Sequence, residues 1–320
     1  LHGSAAGTAI IEYDPLPNRF LLEMHALSNK EYFGELDYSY GDVFMLNGMA
    51  RSLFHNLYHY SLGQDDPTTS SPAFSDYNAT DVYGVQDAMN RLQVRFKTPD
   101  FPFHIYLEAK TQRKEGLAQQ MFLSAFKASR SRDIDWRTQE AKATVNSHLG
   151  PVEVEYSHAA KRFDLAAEGR ILTDTFSGTG MTSNLVPSIE STADTIKIHS
   201  SHTGRIAAAG TYSQGEKLNN DSGTKVLYVN AAGDLTLIPW KELTVSVKYR
   251  RFRVNEETPD YVTLAGVTSG APATGALSVR EAMNYSKDLV STLVRFRATQ
   301  NLTVRVEGAW ESLFLSLIHI

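Results

Sequence analysis

Two histidines four residues apart, in His55-Asn-Leu-Tyr-His59, come closest to a metal-binding pattern in this sequence. On a helix that spacing offers two imidazoles to one zinc ion. The glutamate that follows the first histidine in a zinc-protease motif is missing, because Asn56 stands there. On a strand the two residues share a face but lie ~13 Å apart, too far for one ion. Packing in a loop or a wall is therefore the expectation for the pair. Glu153 and Glu155 are carboxylates two residues apart, which on a strand makes them same-face neighbours. That arrangement suits a solvated polar wall better than acid–base catalysis. Between Gln64 and Asp87 lie Asp65, Asp66, Asp76, Asp81 and Asp87, without the spacing of a dedicated calcium loop. This segment reads as a solvated acidic loop. Neither a phosphate-binding loop, nor a dinucleotide fingerprint, nor a nucleophile elbow is present, and no enzyme activity is expected.

The chain of 320 residues has no cysteine, so it cannot hold haem through C-x-x-C-H or build a cysteine-ligated zinc or iron–sulfur site. No cofactor is expected within the chain. Its 42% hydrophobic and 21% charged positions exclude a disordered or collagen-like protein. A net charge of −5, spread along the chain, leaves no nucleic-acid footprint. No stretch approaches the ~18 apolar residues of a membrane-spanning helix.

Both ends look cut. The chain starts at Leu1, and the last six residues, Leu315-Ser-Leu-Ile-His-Ile320, spell what a common transposase sequencing adapter encodes when read through. Residues 1–314 are therefore taken as part of one β-barrel domain that continues past Phe314, and 315–320 as foreign.

The elements that must position any site show themselves by alternation. Around Glu31–Tyr40, Tyr32, Gly34, Leu36, Tyr38 and Tyr40 fall on one face, and Phe33, Glu35, Asp37 and Ser39 on the other. The same period recurs before a turn at Asn29-Lys30 and on both sides of 98–102. It returns around Gly150-Pro151, Thr203-Gly204, Pro239-Trp240 and 299–301. Helical stripes are almost absent, Leu117–Phe126 being the one candidate. Short turns take turns with long polar segments at 61–89, 114–136, 164–192, 214–223 and 255–286. About a dozen strands of ~10 residues, with tight turns at one end and long loops at the other, match an up-and-down transmembrane barrel.

A soluble sandwich alternates too. Against it stand charges in mid-strand on the polar faces: Glu35, Asp37, Arg91, Arg95, Glu108, Lys110, Glu153, Glu155, Lys248 and Arg305. The apolar faces carry Tyr32, Tyr40, Phe96, Phe103, Tyr156, Trp240, Tyr249 and Trp310 near strand ends, as interfacial girdles do. The fold class expected is all-β, a segment of a large antiparallel barrel in a lipid bilayer.

The runs R-S-L-F-H-N-L-Y-H (51–59), N-R-L-Q-V-R-F-K-T-P (90–99) and H-L-G-P-V-E-V-E-Y-S-H (148–158) resemble the porin-like component of porin–cytochrome conduits, the MtrB/PioB type. The resemblance rests on strand texture. It implies a bacterial outer-membrane barrel that sheathes a multihaem c-type cytochrome and lets electrons cross the membrane, with haem only in that partner. The ten charged residues named above would then face the partner from the lumen. Some members carry a C-x-x-C near the N-terminus, from which this cysteine-free chain departs. The alternative is a solute porin whose charged lumen selects its cargo.

Overall fold

The computed structural model describes residues 6–60, 75–99, 102–123, 127–166, 172–174, 181–183, 186–202, 204–263, 276–278 and 284–316. In chain order the strands are β1 (Gly7–Tyr13), β2 (Asn18–Ala26), β3 (Tyr32–Tyr40), β4 (Phe44–Asn56), β5 (Ser75–Asp76), β6 (Gly84–Lys97), β7 (Phe103–Leu123), β8 (Lys127–Leu149), β9 (Val152–Leu165), β10 (Leu172–Asp174), β11 (Met181–Ser183), β12 (Ile189–His202), β13 (Ile206–Asn219), β14 (Lys225–Trp240), β15 (Leu243–Glu257), β16 (Tyr261–Thr263), β17 (Ala276–Ser278), β18 (Tyr285–Arg297) and β19 (Thr303–Leu315). No helix occurs among the described residues. Fourteen of these strands form one sheet in which each pairs antiparallel with its sequence neighbours, an up-and-down meander. No ladder joins β1 to β19 among the described residues, so the sheet is not closed there. Two-stranded ladders, β10 with β11 and β16 with β17, sit in long connections.

At one end every connection between meander strands is five residues or fewer. Gly150 and Gly204 serve two of these turns at φ 64° and 67°, a left-handed conformation that a side chain would oppose. The other end carries the long connections 57–83, 166–188 and 258–284. The sequence expectation placed two more long loops there, and the structure corrects both. Residues 114–136 are mostly strand, the tip of the β7–β8 hairpin, and 214–223 ends β13 in a tight turn. In that turn the Asn219 carboxamide accepts from the backbone of Asp221 and Ser222. Of the helical candidate Leu117–Phe126, residues 117–123 are strand, and 124–126 lie outside the described residues. One turn shifts from Pro239-Trp240 to 241–242, past a bulge between Leu237 and Trp240.

Because Cα partners share a face, the register sorts every strand residue. One face carries Leu92, Val94, Ile105, Leu107, Val145, Val154, Ile196, Val245 and Val304. All eight girdle aromatics fall on it as well. Over the apolar run of this face no described residue forms a second layer, and large side chains stay exposed: Leu107 is 50% exposed and Val306 61%. The opposite face is polar, yet its Thr144, Asn146 and Ser157 are at most 8% exposed. Large apolar side chains are thus exposed on one side while small polar ones are nearly buried on the other.

The tightest packing lies at the long-connection end. The described ends of connection 57–83, residues 57–60 and 75–83, form a strap that lies against β7 and β8 there on the apolar-side face, with β5 parallel to β8. It buries Tyr83 (1% exposed) and Ser129 (0%). Gly84, the first residue of β6, sits where an added Cβ would lie 2.4 Å from Phe54 Cζ of β4, so glycine leaves room there for the Phe54 ring.

Candidate functional site: the polar wall

The register puts all ten charged residues singled out above on the polar face. Glu35 lies in a row with Met49, Arg91, Lys110 and Glu140, and the other rows carry the same face across to Lys248 and Arg305. Within the face they form separate groups. Asn47 Nδ2 donates to Glu35 Oε1 at 3.3 Å and to Asp37 Oδ1 at 2.6 Å, and Arg91 Nη2 donates to Asn47 Oδ1 at 3.3 Å. An uncharged residue is thus the hub of the first group. Charge type alone overlooks it, and its signal was only its place beside Asp37 across the ladder, one polar-face position from the row of Glu35 and Arg91.

Gln93 Nε2 donates to Glu108 Oε2 at 2.5 Å, and Glu108 stands opposite Lys142. Lys110 stands between Arg91 and Glu140. Glu153 accepts from Asn146 Nδ2 at 2.8 Å, and Glu155 from Lys197 Nζ at 2.7 Å. Arg95 reaches the adjacent turn, with Nη2 2.9 Å from Asp42 Oδ1; Lys97 also binds Asp42. The Lys97 hydrogen bond and charge, joined by Arg95, hold the Asp42 carboxyl below the usual carboxylate range. Lys248 opposes Asp234, which is also 3.3 Å from Arg250 Nη2. Arg305 pairs with Glu307 on the edge strand β19, apart from the rest. Asn47, Arg95, Tyr106, Glu108, Lys142 and Lys197 help line a recess of about 500 Å³. Arg91 Nε, Arg95 Nε and Asp234 Oδ1 are buried without a hydrogen-bond partner, the kind of group that water or a polar occupant satisfies.

His55 and His59 do not meet at a metal site. His55 faces Val85 on the β4–β6 ladder, while His59 lies beyond β4 in the strap. His59 Nε2 is 2.5 Å from Asp76 Oδ2, and its Nδ1 is 3.1 Å from the Asp81 carbonyl oxygen. Asp81 also accepts from Ser131 Oγ, and the Tyr83 hydroxyl is 3.1 Å from that oxygen. Burial alone would raise the Asp76 carboxyl; hydrogen bonds from His59, the Asn78 backbone and Ser129 outweigh it and hold it below its ordinary value. This corrects the solvated acidic loop: Asp76 and Asp81 are built into a strap, and Asp87 takes Gln112 and Lys114. Asp65 and Asp66 lie outside the described residues. No group of three or more His, Cys, Asp or Glu able to hold a metal ion occurs among the described residues.

No protein-family model matches the sequence, and no curated protein matches it. The resemblance to the conduit barrels therefore stands on strand texture alone. Among solved structures, the chain is similar to OmpT (in-vitro folded), an outer membrane protein of Vibrio cholerae. The identity is 9%, with 92% of this chain and 95% of that chain covered and a TM-score of 0.37. A superposition that loose says nothing of register, site or occupant.

Proposed function

We propose that the chain is the wall of a wide bacterial outer-membrane β-barrel, and that its lumen holds a multihaem c-type cytochrome through which electrons cross the membrane. One observation carries the barrel reading: the large apolar side chains of one face stand exposed while Thr144, Asn146 and Ser157 of the polar face are nearly buried, the inverse of a soluble core. Width supports an occupied or water-filled lumen. Barrels of about eight strands fill with their own side chains, whereas about sixteen or more leave a channel. Here fourteen strands run without β1 meeting β19. The wall offers an occupant alternating charges and unspent donors, which suits an extensive polar contact. The haem occupant is favoured by the strand texture quoted above, and the chain has no cysteine with which to bind haem itself.

The test is purification of the native protein, gently, from its own membrane. A partner chain carrying stoichiometric c-type haem, together with reduction of an acceptor enclosed in liposomes bearing the complex, is the expected result. Haem-free protein from a haem-replete host, with high solute conductance, overturns the sheath. That outcome favours the second reading, a solute porin, whose supporting observation is the recess where Arg95, Lys142 and Lys197 stand with Glu108 and Glu155.

A further inference from the structure

The apolar-side face does not stay apolar along the whole strand. Up β15 from the short-turn end it reads Val245, Val247, Tyr249, and then Arg251 and Arg253. Tyr249, Val290 and Trp310 form one ladder row, and the next row up is Arg251, Asp288 and Ser312. On β7 the same face reads Ile105, Leu107 and Ala109, then Thr111, Arg113 and Glu115. Each change comes roughly four outward residues above the short turns, and an aromatic marks it on β9, β13, β15 and β19.

Length gives an independent argument. At 21 residues β7 is ~70 Å long, about twice what a tilted strand needs to cross a bilayer. The excess lies at the long-connection end, because at the other end Phe103 follows its turn directly and opens the apolar run. In that excess Arg113 pairs with Asp135 at 3.0 Å, and at the same end of β9 Arg162 pairs with Asp164. Exposed to hydrocarbon, such pairs would be costly.

We infer that the outer face is a lipid-contact surface in two zones. Hydrocarbon covers the apolar band up to the aromatic row. A charged collar, in which Arg113, Arg137, Arg251 and Arg253 stand among Glu115, Asp135, Asp164 and Asp288, meets the zwitterionic and phosphate-bearing headgroups of one leaflet, and the β7–β8 tip with its strap stands in water beyond. The layering hydrocarbon, aromatic, charge is that of a bilayer read outward from its centre, and it recurs on separated strands at the same level. This rests on the barrel reading above, and the experiment separates the two failures.

With no native cysteine, single-cysteine variants take a spin label at one site only. Val247→Cys and Val306→Cys report on the band, Arg251→Cys and Ser312→Cys on the collar, each in vesicles of phosphatidylglycerol and phosphatidylethanolamine. The expected result is that the band labels collide with oxygen and are shielded from a soluble nickel complex. The collar labels should be at least several-fold more open to nickel, and nickel chelated on a lipid headgroup should relax them more strongly than it relaxes the band. Collar labels as shielded as the band overturn the two-zone surface and leave the barrel standing. Collar labels open to soluble nickel but blind to headgroup nickel overturn the headgroup contact. Band labels as open as collar labels overturn the barrel reading itself.

Discussion

The band below the aromatic row and the collar above it belong to the same strands and the same face, yet their outward side chains have opposite chemistry. Val247 and Arg251 are four residues apart on β15, with one aromatic between them on that face. The polar face, by contrast, shows no such step: on β7 it runs His104, Tyr106, Glu108, Lys110, Gln112 and Lys114. A lumen wall meets water or a polar occupant along its whole height, whereas an outer wall meets lipid only over part of its height. Sidedness and depth are therefore separate messages, and only the outer face carries the second.

The largest expected effect comes from moving collar chemistry into the band. Leu107→Arg and Val247→Arg each place a cation against hydrocarbon and should cost ~2–4 kcal/mol in reversible unfolding from liposomes. Thr192→Arg, on the same face in the collar, should stay within about 0.5 kcal/mol. Equal costs at the two levels would erase the distinction between them; a larger cost in the collar would invert it.

A second contrast sets the two faces against each other at one level. Asn47 holds Glu35, Asp37 and Arg91 together, so Asn47→Leu strips two carboxylates and an arginine of their shared partner. The expected loss is ~1–3 kcal/mol, measured in the same unfolding assay. Gain of stability from Asn47→Leu would mean that hydrocarbon, not a polar lumen, lies on that side.

The faces were legible in the sequence because a strand has period two: Leu92, Val94 and Phe96 against Arg91, Arg95 and Lys97 needs no structure to sort. The tip of the β7–β8 hairpin was not legible, and for a definite reason. Above the band Lys114 and Arg132 point to one face while Glu115 and Asp133 point to the other, so alternation loses its apolar half and the segment looks like a polar loop. The strap was hidden for another reason. Its contacts join His59 to Asp76 and Asp81, and Tyr60 to Gln119, pairings that follow from how the two described ends of connection 57–83 meet over β7 and β8 and not from any local spacing. Asn47 as hub required the ladder register, which no single strand contains.

The strap gives a smaller effect, with a pH dependence of fixed sign. The folded Asp76 carboxyl lies below its ordinary value of about 3.9, so unfolding takes up a proton once the pH drops. Its contribution is full above about pH 4 and disappears as the pH falls through the lowered folded value. Limited proteolysis within 57–83 should accordingly accelerate below pH 4 in the native protein. Asp76→Asn removes the charge-assisted bond to His59, for a loss of ~1 kcal/mol, and should make cleavage insensitive to pH across that window. The band and the collar should stay folded throughout, because the described strap residues contact β7 and β8 only near the hairpin tip.

The smallest effect is expected where a polar-wall residue has no group to serve. Arg305 was singled out with the other nine, and it shares their face, but it sits on the edge strand β19 at 65% side-chain exposure and pairs only along its own strand, with Glu307 at 2.9 Å. An exposed pair of this kind contributes ~0–1 kcal/mol, so Arg305→Gln should change unfolding by less than about 0.5 kcal/mol. Opposite it in the ladder stands Arg295, a like charge, which makes even a slight gain reasonable. A loss comparable to that of Asn47→Leu would show that Arg305 faces a partner which the described strands do not supply. The contrast between the interior of the wall and its edge would then disappear.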